Sequence, residues 1–315
     1  MKATFLATPA LLVVFSGVMP AANSQLLGFV MPDVKVLADV NVTQAKGSPF
    51  GQYVLSQMTA NDSAGLQQLT SLTGFNPTQD VNEVMLASDA ATGSHAGLAV
   101  AAGTFNVSSI TAFATAHGST TENYGGVTIL EDPKQTHGIA FLSGSLVAAG
   151  DIADVKAAID RSKNPSILPA SLVTQVNQLS AANDAWGLTT VPLSSLKQGS
   201  GALPPSAADL QNALQTVQSI SGGVKFGATV TLTIQAQADN AQDATSLAGV
   251  VQFLANMAEL QAGQQNPQAA TALQSLTATA QGNTVTIALS VPEDQFQQLV
   301  QLHPNAAHPH RPLKK

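Results

Sequence analysis

The sequence predicts an α+β fold of mainly antiparallel sheets with helices packed on one face, arranged as two related units. Three observations predict it. Several segments alternate apolar and polar residues with period two, as half-buried antiparallel strands do. Other segments carry apolar residues at helical spacing, which gives stripes suited to covering those strands. The order of strand, hairpin and helix signals then repeats in the second half of the chain.

The first element is a leader. Lys2 supplies a short positive start, residues 10–18 (ALLVVFSGV) form a compact apolar run, and Ala22 and Ser24 precede Gln25 as the small residues of a cleavage site. This is the layout of a secretory signal peptide over residues 1–24, with an apolar core too short to span a bilayer. Pro9, Gly17 and Pro20 oppose a stable buried helix there. No cysteine follows the run, so no lipid-modified cysteine anchor is expected. The predicted product is periplasmic or extracellular, released by cleavage near Ser24.

Beyond the leader, Val34, Val36, Ala38, Val40 and Val42 alternate with Lys35, Asp39 and Asn41, predicting a strand with its valine side buried. Asp151 is placed to cap a helix over 152–161, with Ile152, Val155 and Ile159 facing inward. Leu210, Leu214, Val217 and Ile220 predict a helix over 207–220, opened by a Ser206/Asp209 capping box. Val230, Leu232, Ile234 and Ala236 alternate with Thr229, Thr231, Thr233, Gln235 and Gln237, a second strand. Leu247, Val250, Val251, Leu254, Met257 and Leu260 form the stripe of a helix over 241–261; Gln252 and Asn256 within it argue against a membrane span. Val285, Ile287, Leu289 and Val291 against Thr284, Thr286 and Ser290 give a third strand. Pro292 then opens a last helix, with Glu293 and Asp294 in its first turn. Residues 303–315, rich in His, Pro and basic side chains, are expected to be a disordered tail.

The repetition is one of element type. IAFLSGSLVAAGDIADVKAAI and TATAQGNTVTIALSVPEDQFQQLV both read as strand, Gly-centred hairpin (Gly144, Gly282), strand, acidic helix start and short helix. Upstream, GLAVAAGTFNVSSITAF and TLTIQAQADNAQDATSL both read as strand, Asn (Asn106, Asn240), helix. VLADVNVTQAK pairs likewise with WGLTTVPLSSLK. The units are expected at 25–182 and 183–302.

Residues 74–88 (GFNPTQDVNEVMLAS) resemble a pattern found in exported bacterial proteins of unknown function. In these a helix ends in Gly, a Pro turn follows, and an Asp precedes a strand. Such proteins also open on a strand like residues 34–42 and repeat an α+β unit. The resemblance spans most of the mature chain and implies a fold and a compartment. It brings no catalytic residues.

Composition narrows the function. Charged residues are 10% of the chain, against roughly 25% in ordinary globular domains. Arg161 and Arg311 are the only arginines, and no acid follows Asp294. Nucleic-acid binding needs clustered Lys and Arg and is excluded as a partner class. The absence of cysteine removes disulfides and thiolate chemistry. No phosphate loop or dinucleotide-binding motif occurs, and no cofactor is expected.

Candidate chemistry is sparse. No GxSxG elbow is present, and Ser145 and Ser200 read as hairpin and linker residues. His95, His117 and His137 read as loop or strand-end histidines. Glu131/Asp132, Asp151/Asp154 and Glu293/Asp294 read as turn and cap residues. In the tail, His303, His308 and His310 could bind Zn²⁺, Ni²⁺ or Cu²⁺ weakly. The remaining candidate is a surface: Thr229, Thr231, Thr233, Gln235 and Gln237, beside Thr277, Thr279, Thr284 and Thr286, form an uncharged ladder that could hydrogen-bond a polysaccharide, a peptide strand or a second copy. The sequence therefore reads as a non-catalytic exported envelope protein acting by binding or assembly, with an envelope partner or itself. Two alternatives stand beside this reading: a periplasmic hydrolase assembled from scattered His, acid and Ser residues, and metal capture by the tail.

Overall fold

The computed structural model describes residues 24–61, 63–90, 97–195 and 208–301. The expected leader and tail, with His303, His308 and His310, lie outside the described residues, as does His95. A short helix α1 (Ser24–Leu27) leads to β1 (Val36–Asn41), then α2 (Val42–Lys46), α3 (Pro49–Asn61), α4 (Ser63–Thr73) and α5 (Pro77–Asp80). Next come β2 (Val81–Ser88), β3 (Leu98–Gly103) and α6 (Val107–Ala116). Two hairpins follow, β4 (Thr120–Tyr124) with β5 (Val127–Glu131), and β6 (His137–Ser143) with β7 (Leu146–Asp151). Helices α7 (Ile152–Lys163) and α8 (Ala170–Ala182) close the first half. The second half holds β8 (Ala185–Thr189), a 3-10 turn (Leu193–Ser195), α9 (Ala208–Gln215), β9 (Val217–Lys225) and β10 (Thr229–Ala238). It continues with α10 (Ala241–Gln265), α11 (Pro267–Gln274), β11 (Thr277–Gln281), β12 (Thr284–Pro292) and α12 (Glu293–Gln301).

All these strands join one sheet of 12, in the order β11-β12-β10-β9-β8-β1-β2-β3-β7-β6-β5-β4, and the pairs are antiparallel. Strands β1 and β8 meet at the centre. Outward from that seam, one half runs β1-β2-β3-β7-β6 and the other β8-β9-β10-β12-β11, the same order of strands. The hairpin partners β5 and β4 extend the first half. Asn106 and Asn240 hold matching positions: each ends the loop after the third strand of its half and accepts a backbone N–H at the start of the following helix, from Ser109 and from Gln242 and Asp243.

Directly opposed residues of antiparallel strands share a face. One cross-strand row therefore defines the front: Leu130, Ile139, Ala149, Ala99, Leu86, Ala38, Gly187, Gly222, Ile234 and Ile287. The back carries Leu37, Met85, Val100, Ala148 and Leu188, packed with Leu26 and Leu27 of α1, Ala158 of α7 and Val176 of α8. Val155 and Ile159 of α7 pack further out on Ile129 and Ala140. In the second half the cover is in front, where Ala244, Leu247 and Ala248 of α10 bury Ala236 and Val285. The expected single helix-covered face thus resolves into two, because in the first half both sides of the strands are apolar.

Strand β1 carries the largest reversal. Val36 and Val40 are 38% and 39% exposed, whereas Leu37 is 0% and Asp39 3% exposed. The alternation is present, but α1 and α8 cover the side that carries the single leucine and the acid. Asp39 Oδ1 and Trp186 Nε1, opposite one another across the seam, are buried without a hydrogen-bond partner. Burial, reinforced by Glu83, pushes the Asp39 carboxyl up to about 7.

Three further expectations change. Val217 and Ile220 belong to β9, not to a helix over 207–220; α9 ends at Gln215. Their apolar spacing of three is helical and would split them between the faces of a regular strand, but an irregularity in the β9–β10 register beside Ala238 brings both to the α10 side. Helix α10 extends to Gln265, but Met257 and Leu260 are exposed, so the stripe is buried only over its first turns. Pro292 ends β12, and α12 starts at Glu293. At the sheet margin, Gln252 of α10 reaches back so that its Oε1 accepts from the Ala278 backbone N–H of β11.

Candidate functional site

The Thr/Gln ladder lies on the back of the second half, where β10 pairs Gln235 with Thr286 and Gln237 with Thr284, and Thr279 stands opposite Thr286. Thr231, Thr233 and Gln235 line a groove of about 300 Å³, walled by Gln175, Gln178, Leu179, Ala182 and Asn183 at the end of α8. Thr229 and Gln237 do not line it, and Gln237 Oε1 is bound by the Thr284 hydroxyl. At one end Lys225 Nζ donates to the buried Asp184 carboxylate at 2.6 Å. The groove sets amides and hydroxyls along a lining that also carries apolar surface from Leu179, Ala182, Gly222 and Gly223.

A larger cavity, of about 640 Å³, lies at the front of the first half. Its floor is Leu130 of β5, Ile139 and Phe141 of β6, and Val147 and Ala149 of β7; its roof is Ile110, Phe113 and Ala114 of α6 with Leu69 of α4. The sequence builds the roof simply. Asn106 caps α6, and Gly118 at φ +94° provides the left-handed residue just after its end. Yet none of α6 is buried, although Val107, Ile110 and Phe113 are strongly apolar. A tier of tilted rings lines the space between helix and sheet: Phe105 lies between Phe75 and Phe141, with centroids 5.6 and 5.9 Å apart. The cavity lies open beneath the helix.

The polar groups are gathered at one end. His117 lies over Phe113, centroids 4.1 Å apart, with Nδ1 2.7 Å from the Phe113 carbonyl. His137, Asp132 and Ser119 complete that rim. His137 Nε2 is 3.2 Å from Asp151 Oδ1, and its Nδ1 is 2.9 Å from the Thr136 hydroxyl. Asp132 accepts the His137 and Thr136 backbone N–H groups, which hold its carboxyl below the usual range. Asp154 is raised by burial and by the nearby Asp151 and Asp89. Asp151 precedes α7 as expected, but its side chain makes no cap bond and serves His137 instead.

The chain Thr136, His137, Asp151 has the order of a nucleophile, base and orienting acid. It is exposed, and the neighbouring N–H groups that an oxyanion would need are occupied by Asp132. Among the described residues no group of three or more His, Cys, Asp or Glu could hold a metal ion. Sequence reasoning placed His117 and His137 as loop and strand-end residues and did not find the cavity. The available signal was Phe75, Phe105, Phe113 and Phe141, a concentration of rings in a chain with 4% aromatic residues.

No protein-family model matches the sequence, and no curated protein matches it. Solved structures do. The chain shares its fold with TP0453, an envelope protein of Treponema pallidum. One crystal form gives a TM-score of 0.55 at 11% identity, over 88% of this chain and 97% of that one. Another gives 0.52 at 11% identity, over 88% and 96%. At that identity the likeness establishes the α+β architecture alone. No helix among the described residues is long and apolar enough to cross a membrane.

Proposed function

We propose that this is an exported, non-catalytic envelope protein that acts by binding, and that its site is the cavity beneath α6. The observation that carries the reading is an apolar chamber of about 640 Å³, a volume in the range of small-ligand pockets. Export rests on the leader at residues 1–24, and the likeness to an envelope protein supports the same compartment. The residues 25–182 and 183–302 are read as two copies of one unit, as in the exported repeat-unit family that the sequence resembles. The shared strand order supports this. The site belongs to the first copy, where the added hairpin β4–β5 widens the sheet under α6.

N-phenyl-1-naphthylamine, a neutral probe that fluoresces in apolar surroundings, tests the reading. The protein should bind it with micromolar affinity, and Ala114→Phe, which projects a ring into the chamber, should weaken binding by about tenfold or more. Equal fluorescence for both proteins, or none for either, rejects the site.

A second reading is favoured by the back groove, which gathers Thr231, Thr233 and Gln235 with Gln175 and Gln178. Such a surface suits an uncharged polar chain such as a polysaccharide. Thr233→Leu should then abolish retention of the protein on envelope polysaccharide, and unchanged retention removes this reading.

A further inference from the structure

The chamber has an axis as well as a volume. Along β6 the side chains that face it are His137, Ile139 and Phe141, in that order. His137 stands at the polar rim with Asp132, Ser119 and His117, whereas Phe141 stands among Phe105, Phe75 and Val147. Those three positions of a strand span about 13 Å, the length of roughly ten methylene groups in an extended chain. Polarity therefore changes from one end to the other over the length of a medium alkyl chain.

The charge at the rim has one sign. Asp132 is held as a carboxylate by the N–H groups of its own turn, and Asp151 lies behind His137. Lys134 is in the same turn but is solvent-exposed and does not line the chamber. Arg161, on α7, is engaged with the Phe29 carbonyl on the back of the sheet. A carboxylate placed at this rim would meet acids and lack a lining cation. An ammonium or hydroxyl group would find the Asp132 carboxylate and His117 Nε2 as acceptors, since the Nδ1 of His117 is turned to the Phe113 carbonyl.

On the reading of the chamber as the binding site, we propose that its ligand class is the single-chain amphiphile with a hydrogen-bond-donating head, an amine or alcohol rather than a carboxylic acid. The chain lies toward Phe105 and Phe141, and the head lies at Asp132 and His117.

The test is displacement of N-phenyl-1-naphthylamine at pH 8 by decylamine, 1-decanol and decanoate. Decylamine and decanol should displace the probe at concentrations about tenfold lower than decanoate, the factor one charge contact at a half-exposed site supplies. Ser119→Lys, which puts a cation on the rim without touching the apolar lining, should narrow or reverse that order. Decanoate displacing as well as the amine from the unaltered protein overturns the head-group assignment. So does an order that Ser119→Lys leaves unchanged. Failure of the probe itself to bind instead overturns the reading of the chamber as a site, so the two failures are distinguishable.

Discussion

Replacing Asp39 by asparagine should stabilise the protein above neutral pH and flatten its stability between pH 4 and 7. The carboxyl, ordinarily near 3.8, is raised to about 7 in the folded chain by burial first and Glu83 second. Between those values the folded state holds a proton that the unfolded state has released. Stability from this group is therefore complete below pH 4, declines as pH rises, and is fully lost above pH 7. The loss is on the order of 4 kcal/mol. Asparagine keeps the shape and cannot ionise, so urea unfolding of the two proteins should give similar midpoints at pH 4 and a higher midpoint for the variant at pH 8. Acids with lowered values, such as Asp132, slope the opposite way but are common to both proteins and cancel in the difference. Parallel curves for the two proteins would show that Asp39 is ionised at no cost.

Leu37→Ala should be the most damaging simple truncation. Leu37 is fully buried on the back of β1, opposite Ala87 on one side and Leu188 on the other. Removing its side chain should cost about 2–5 kcal/mol, the range for leucine cavities in packed cores. Because β1 joins both halves of one hydrogen-bonded sheet, the variant should still unfold in a single transition, at lower denaturant and with an unchanged slope. Two transitions, with only one displaced, would mean that the halves melt independently across the β1–β8 seam.

Much of this architecture is legible in the residues. The Thr/Gln strands over 229–237 and 284–291 bury Val230, Ala236, Val285 and Val291, as their alternation requires. The turns at Gly144 and Gly282 fall between paired strands. What misleads is the assumption that the more apolar side of a strand is the covered one. In β1 the helices sit over Leu37 and Asp39, and a local pattern carries no information about where a distant helix docks. The groove at Thr231 and Thr233 needs Gln175 and Gln178 from a helix far away in sequence to become a groove at all. The chamber is harder still, since it forms only where α4 and α6 come over β5, β6 and β7 in the fold.

Among the described residues the layer of twelve strands has two rims, β11 and β4, and side-chain contacts guard each. The Gln252 amide oxygen occupies an outward donor of β11 at Ala278. On β4, Glu122 and Tyr124 are tied to Lys156 and Asp160 of α7, placing ions along the rim. A foreign strand adding at Ala278 would have to displace the Gln252 contact, and one adding at β4 would meet the charged side chains of Glu122 and Lys156, which opposes end-to-end polymerisation of so broad a sheet.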